Sequence, residues 1–316
     1  MKISELLMRV NYYANKRVKE TDHAVRIFKR KAYNRLYLQI RNNFLLSDDV
    51  NYFAIVDKIT MTKSMADHLH EIMTMEYTPK AGNSKDQIIA ELAEVNGIGE
   101  VLAEKLYVTH GVRSIADLQK NKTLFASLPI ETKLFLTYTP LRLIPHDLIA
   151  IIEELLKKHG VIRSRWHIVG SYRRKKPFSR DIDIMVVMND SNRQAGLETI
   201  VQKVNKIKNV QFHVYSQGTD KVSGILSLDH NGKELNVKLD FFACTREEYP
   251  FMLLYSTGSK EHNLYMRRIA KERGYMLNQR GLYLRGTKEH VKKFVKTEKE
   301  IFALLEIDYV SPEKRL

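Results

Sequence analysis

Apolar residues along this chain change period, and the change divides it. Ile3, Leu6, Leu7 and Val10 recur at helical spacing, as do Val25, Phe28, Ala32, Leu36 and Ile40. Few glycines or prolines interrupt residues 1–78, so the spacing predicts helices throughout. Thr78–Lys85, with Pro79, Gly82, Asn83 and Ser84, reads as a linker. Ile89, Leu92, Leu102 and Leu106 then flank Asn96-Gly97-Ile98-Gly99, which reads as helix, tight hairpin, helix. Short helices are predicted over 115–138, before Pro140-Leu141-Arg142-Leu143-Ile144-Pro145 breaks the chain.

An amphipathic helix is predicted over 146–159, and alternation takes over beyond it. Trp166–Val169, Asp181–Val187, Phe212–Tyr215, Ile225–Leu228 and Leu235–Phe242 read as strands, with a helix over 197–210 among them. Ile301–Leu305 supplies an apolar stripe near the end. The pattern predicts an α+β multidomain chain: helical parts over 1–79 and 80–145, a sheet-bearing domain over 146–246, and a small α/β subdomain over 247–316.

Charge changes this picture by pointing to a partner. The 316 residues carry 52 basic against 37 acidic side chains, a net +15. Such an excess favours a polyanion, and nucleic acid is the first candidate. The predicted helix over 25–40 carries Arg26, Lys29, Arg30, Lys31 and Arg35, a candidate DNA-backbone surface with Tyr33 available for stacking. The single cysteine, Cys244, excludes an internal disulfide framework and a CxxC zinc site. Glu5 and Arg9 interrupt the start, and no apolar run approaches the ~18 residues of a membrane span. A monomer in the cytoplasm or nucleus is expected, neither secreted nor bound to a membrane.

The chemistry concentrates in Gly170–Val187, GSYRRKKPFSRDIDIMVV. Asp181 and Asp183 lie two apart on a strand and so share a face. Two adjacent carboxylates repel unless a cation sits between them, and hard oxygen ligands suit Mg²⁺. Arg173, Arg174, Lys175 and Lys176 precede them after a Gly-Ser turn. Alone, a basic run is a solvated turn and an acidic pair is a strand end. Together they are an apparatus for phosphoryl or nucleotidyl transfer. In the helical part, Gly97 and Gly99 let backbone approach a phosphate at a helix start.

Gly170-Ser171-Tyr172-Arg173-Arg174 followed by Asp181-Ile182-Asp183 resembles the palm motif of family X DNA polymerases, the polymerase beta branch of the nucleotidyltransferase superfamily. The resemblance implies a nucleotidyltransferase palm with a mixed β-sheet, a helix-hairpin-helix subdomain and a helical DNA-end-binding domain. It implies gap-filling DNA synthesis at gapped or nicked DNA from dNTPs, using two Mg²⁺ ions held by Asp181, Asp183 and Asp240. Gly170, Ser171, Arg174 and Ser179 match the triphosphate site, while Arg173 is expected to support the loop. Tyr255 and Gly258 match the turn against the incoming sugar, and Asn263 and Arg267 match contacts to the nascent pair and template. Lys29 and Tyr33 match the pair that holds a 5′-phosphate end. Gly97 and Gly99 match the DNA-gripping hairpin, where carbonyls near Val95 and Ile98 would hold a monovalent cation. Lys238 replaces an arginine beside the third aspartate, Phe242 an arginine that partners the second, and Ser256 a phenylalanine against the sugar.

Three other readings compete: a template-independent nucleotidyltransferase, a ribonucleotide-tolerant enzyme, and a catalytically weak DNA-end-binding protein. One departure carries a prediction of its own. His68 stands where the family places the lysine that forms a Schiff base with an abasic sugar. An imidazole is not a primary amine and forms no iminium. Borohydride trapping on a 5′-deoxyribose phosphate end is therefore expected to give little or no covalent product, and efficient trapping would refute this.

Overall fold

The computed structural model describes residues 1–19, 32–33, 35–37, 39–41, 43–44, 48–75, 85–93, 95–162, 166–189, 192–291 and 295–315. The chain forms two compact units, Met1–Leu128 and Pro129–Leu316. No helix among the described residues is long and apolar enough to cross a membrane.

The first unit is helical. In the helix Ile3–Lys19 the buried residues are Ile3, Leu6, Leu7, Val10, Tyr13 and Ala14, the one face its spacing predicts. That face packs with Tyr33, Leu36, Ile40, Ile55, Leu69 and Ile72. Helices Tyr52–Lys58 and Lys63–Thr74 start at Asn51 and Thr62, whose side chains accept from the backbone N–H groups of Ala54 and Met65. Lys85–Ala93 and Glu100–His110 flank the glycine hairpin and bury Ile88, Leu92, Ala103 and Leu106. The expected linker over 78–85 lies almost wholly outside the described residues.

The second unit is built on a five-stranded sheet of order β2-β4-β7-β6-β5. Its strands are β2 (Trp166–Ile168), β4 (Ile182–Val187), β5 (Val210–Gln217), β6 (Lys221–His230) and β7 (Lys233–Cys244). Two short strands, β1 (Ile144–Pro145) and β3 (Phe178–Ser179), pair outside it. β4 runs parallel to β7, and the other pairings of the sheet are antiparallel. Ile182, Ile184 and Val186 of β4 join the core under helices His146–Lys158 and Arg193–Val204. Met185 faces the opposite way, with Val169, Cys244, Met252 and Leu253.

Two expected bounds shift. The helix expected over 197–210 is Arg193–Val204, and β5 already begins at Val210. Tyr255–Thr257, expected within the turn against the incoming sugar, is the last turn of a helix, Tyr249–Thr257. Pro250, Phe251, Met252, Leu253 and Leu254 are all buried there. A helix apolar on every side has no amphipathic period to read.

The C-terminal segment adds helix Lys260–Glu272, the hairpin β8 (Tyr275–Asn278) and β9 (Gly281–Leu284), and helix Glu298–Leu304. It is fastened to the loop after β2 through the buried carboxylate of Glu298. Glu298 receives Arg173 at 2.6 Å and Arg315 at 2.7 Å.

His262 sits beside this cluster, stacked on Phe302 with ring centroids 5.8 Å apart. Burial first, then the Arg315 cation, pushes its pKa down from 6.5 to about 4. The fold therefore holds His262 neutral, while the unfolded chain protonates it near pH 6.5. Its contribution is whole above pH 6.5 and is lost as pH falls toward 4. Thermal melts across that range should show a shallower loss of stability in His262→Phe than in the wild type.

Candidate active site

Parallel pairing of β4 with β7 sets Asp183 directly beside Asp240. Asp181 precedes β4 on the same face, and one oxygen from each of the three carboxylates lies within 4.8 Å of the others. Burial first, then the charges of Asp181 and Asp240, pushes the Asp183 carboxyl up to about 8. Burial also raises Asp181, against the pull of Lys238. Asp240 is 5% exposed. Its Oδ2 accepts from Lys221 Nζ at 2.8 Å, and its Oδ1 is buried with no hydrogen-bond partner among the described residues. These are the marks of a site short of positive charge.

The loop Gly170–Ser179 closes one side. Gly170 has φ +61°, and a Cβ there would lie 2.6 Å from Asp183 Oδ2. Only glycine both adopts that backbone and leaves room for the carboxylate. Val169 N–H donates to the Asp183 carbonyl at 2.8 Å, which ties the loop to β4. Ser171 Oγ donates to Ser179 Oγ at 2.7 Å, so the two hydroxyls converge across the loop. Arg173 turns away and donates to Thr257 Oγ1 and Glu298, supporting the loop. Arg174 Nη1 donates to the Thr257 carbonyl, and Arg174 Nε is buried with no partner among the described residues. Burial lowers the Arg174 pKa, and Asp183 pulls it back up.

Tyr255, Asn263 and Arg267 share one shallow concavity with Leu254, Met266 and Asn278. Asn263 Nδ2 donates to the Tyr255 carbonyl at 2.8 Å, and the Arg267 guanidinium lies 5.4 Å from the Tyr255 ring centre. Gly258, at φ +67°, faces Arg174 Nη1. Ser256 Oγ donates to the Met252 carbonyl. His167 is occupied by structure, with Nε2 2.9 Å from the Tyr249 hydroxyl. Lys238 lies over the Phe135 ring at 5.8 Å.

In the helical unit, Gly97 takes φ +83° in the hairpin and Gly99 begins helix Glu100–His110. A Cβ on Gly99 would meet nothing within 4 Å, so that backbone is open to approach. Lys29 lies outside the described residues. Tyr33 corrects one expectation: its ring is 3% exposed and so is not available for stacking. The ring packs beside His68, and the Tyr33 hydroxyl is 3.0 Å from His68 Nδ1.

Sequence reasoning passed over Lys221. It stands 19 residues before Asp240, and only the β6–β7 register brings the two together. The one available signal was its place at the start of an alternating strand.

Residues 144–246 match the DNA polymerase beta palm model and residues 252–316 the DNA polymerase beta thumb model. Arabidopsis thaliana DNA polymerase lambda is 29% identical over 278 residues, covering 80% of this chain and 52% of the plant protein. DNA polymerase/3'-5' exonuclease PolX of Bacillus subtilis (strain 168) is 33% identical over 146 residues, 46% of this chain and 23% of that protein. The chain thus spans about half the length of the plant relative and less of the bacterial one. The African swine fever virus Repair DNA polymerase X (isolate Tick/South Africa/Pretoriuskop Pr4/1996) is 30% identical over 148 residues, 47% of this chain and 79% of the viral protein. Leishmania infantum polymerase beta in its ternary P/T complex superposes with TM-score 0.63 at 25% identity, over 73% of this chain and 99% of that one. Palm and thumb models matched in chain order, together with coverage of most of the viral protein, make this chain a member of the family X DNA polymerases.

Proposed function

We propose that this chain is a DNA-directed DNA polymerase that extends a primer 3′-hydroxyl at short gaps by Mg²⁺-dependent nucleotidyl transfer, in DNA repair. The observation that carries this is the meeting of Asp181, Asp183 and Asp240 within 4.8 Å, beside a loop that presents Arg174. The donor set fits divalent cations: three hard carboxylates, Asp183 with a raised pKa and Asp240 Oδ1 buried without a partner among the described residues. When bound, two Mg²⁺ ions supply the Lewis acidity that activates the hydroxyl and neutralises the triphosphate.

The chain's own groups do the rest. Ser171, Ser179 and the Nε of Arg174, which has no partner among the described residues, receive the β- and γ-phosphates as pyrophosphate leaves. Asp240 accepts the proton of the attacking hydroxyl. Tyr255, Asn263 and Arg267 hold the nascent pair from one concave surface. Residues 1–79 bind the DNA end, and residues 80–145 grip the DNA backbone at Gly97 and Gly99, with a monovalent cation. Residues 146–246 and 247–316 act as palm and nascent-pair subdomain. The reading draws support from the viral relative named as a repair DNA polymerase.

Extension on a one-nucleotide gap, with and without Mg²⁺, is the direct test. Asp181→Asn and Asp240→Asn should each lower nucleotide addition on the order of 10³-fold while DNA binding persists. Retained incorporation in either would falsify the assignment. Gly170→Ala should displace Asp183 and lower single-turnover extension on the order of 10²-fold. An unchanged rate would mean that this close approach has no part in the chemistry.

A further inference from the structure

Lys221 is a basic side chain at the reacting carboxylates for which the proposed chemistry has no use. Its Nζ lies 2.8 Å from Asp240 Oδ2, while its side chain is 46% exposed. The β6–β7 register sets Lys221 opposite Phe242 and Ser223 opposite Asp240. The lysine therefore reaches diagonally along the strand, with its ammonium 4.8 Å from the Phe242 ring centre. Its backbone is held: Ala243 N–H donates to the Asp220 carbonyl at 2.8 Å. The Asp220 carboxylate binds Arg193 at 3.0 Å and Arg280 at 2.7 Å. Only the flexible stem of Lys221 is left to move.

We propose that Lys221 is the resident counter-ion of Asp240. Its ammonium neutralises and orients the third carboxylate before a divalent cation arrives, then yields Oδ2 and turns to solvent once the cation binds. The proposal rests on the reading of the aspartates as a cation site. Three facts carry it. Asp240 is buried with Oδ2 as its partnered oxygen. The three carboxylates crowd together in a partly dry place, so positive charge beside them relieves their mutual repulsion. A half-exposed ammonium on a four-carbon stem leaves such a contact at little cost, which a buried guanidinium would not.

The test is thermal unfolding of the full chain against Mg²⁺ concentration. Lys221→Met should lower the metal-free Tm by about 2–4 °C and leave the Tm in saturating Mg²⁺ equal to wild type. The Mg²⁺ concentration at half-maximal stabilisation should fall about 3-fold, because a competitor for Oδ2 is gone. Lys221→Arg should behave as wild type. In an Asp240→Asn background Lys221→Met should change nothing, since its partner charge is already absent. The same loss of Tm with and without Mg²⁺, or in the Asp240→Asn background, would overturn the proposal. An equal effect from Lys238→Met would overturn it too, by showing a general field rather than a contact. Absence of any Mg²⁺ shift in the wild type would instead overturn the cation reading, and the proposal with it.

Discussion

Three carboxylates forced together in a half-buried site are the constraint on which the catalytic unit turns. The parallel pairing of β4 with β7 fixes it, since a residue in register on two neighbouring strands cannot avoid its partner. Ile182, Ile184, Leu239 and Phe241 are buried on one face of those strands, and that burial holds the register. A one-residue slip of either strand would turn its own two residues away from that core and separate Asp183 from Asp240. The apolar core thus enforces the repulsion, and burial first, then the charges of Asp181 and Asp240, pushes the Asp183 carboxyl up to about 8.

Positive charge is distributed around that repulsion in two manners. Guanidinium groups act as fasteners: half-buried Arg173 and buried Arg315 share Glu298, and buried Arg193 spans Asp220 and Glu248. Breaking such a pair leaves an uncompensated buried charge, so these contacts hold one arrangement of the segments they join. Lys221 and Arg174 differ. One is half-exposed, and the other keeps a buried N–H with no partner among the described residues. They are poised toward ions and phosphates that come and go.

The first unit shows how far spacing carries. The face of helix Ile3–Lys19 and the glycine hairpin at Gly97 and Gly99 were legible because helical period and glycine chemistry are local properties. Tyr33 was not. Its aromatic ring among basic neighbours reads equally well as a stacking platform or as core, and the decision belonged to His68, 35 residues away. Helix Tyr249–Thr257 offered no signal either, since Pro250 to Leu254 are apolar and buried in succession and carry no period.

By itself the sequence determined the change from helical to alternating segments, the Gly170–Val187 motif and the identity of its three aspartates. All of these depend on residue type and short-range spacing, which a chain displays without folding. The tertiary structure decided which oxygen each aspartate offers, what stands beside it, and which basic residue answers it. Lys221 meets Asp240 only through strand register, Arg173 meets Glu298 across 125 residues, and Gly170 is compelled by a carboxylate 13 residues on. Contacts of that kind are set by packing between elements, and no local pattern encodes them.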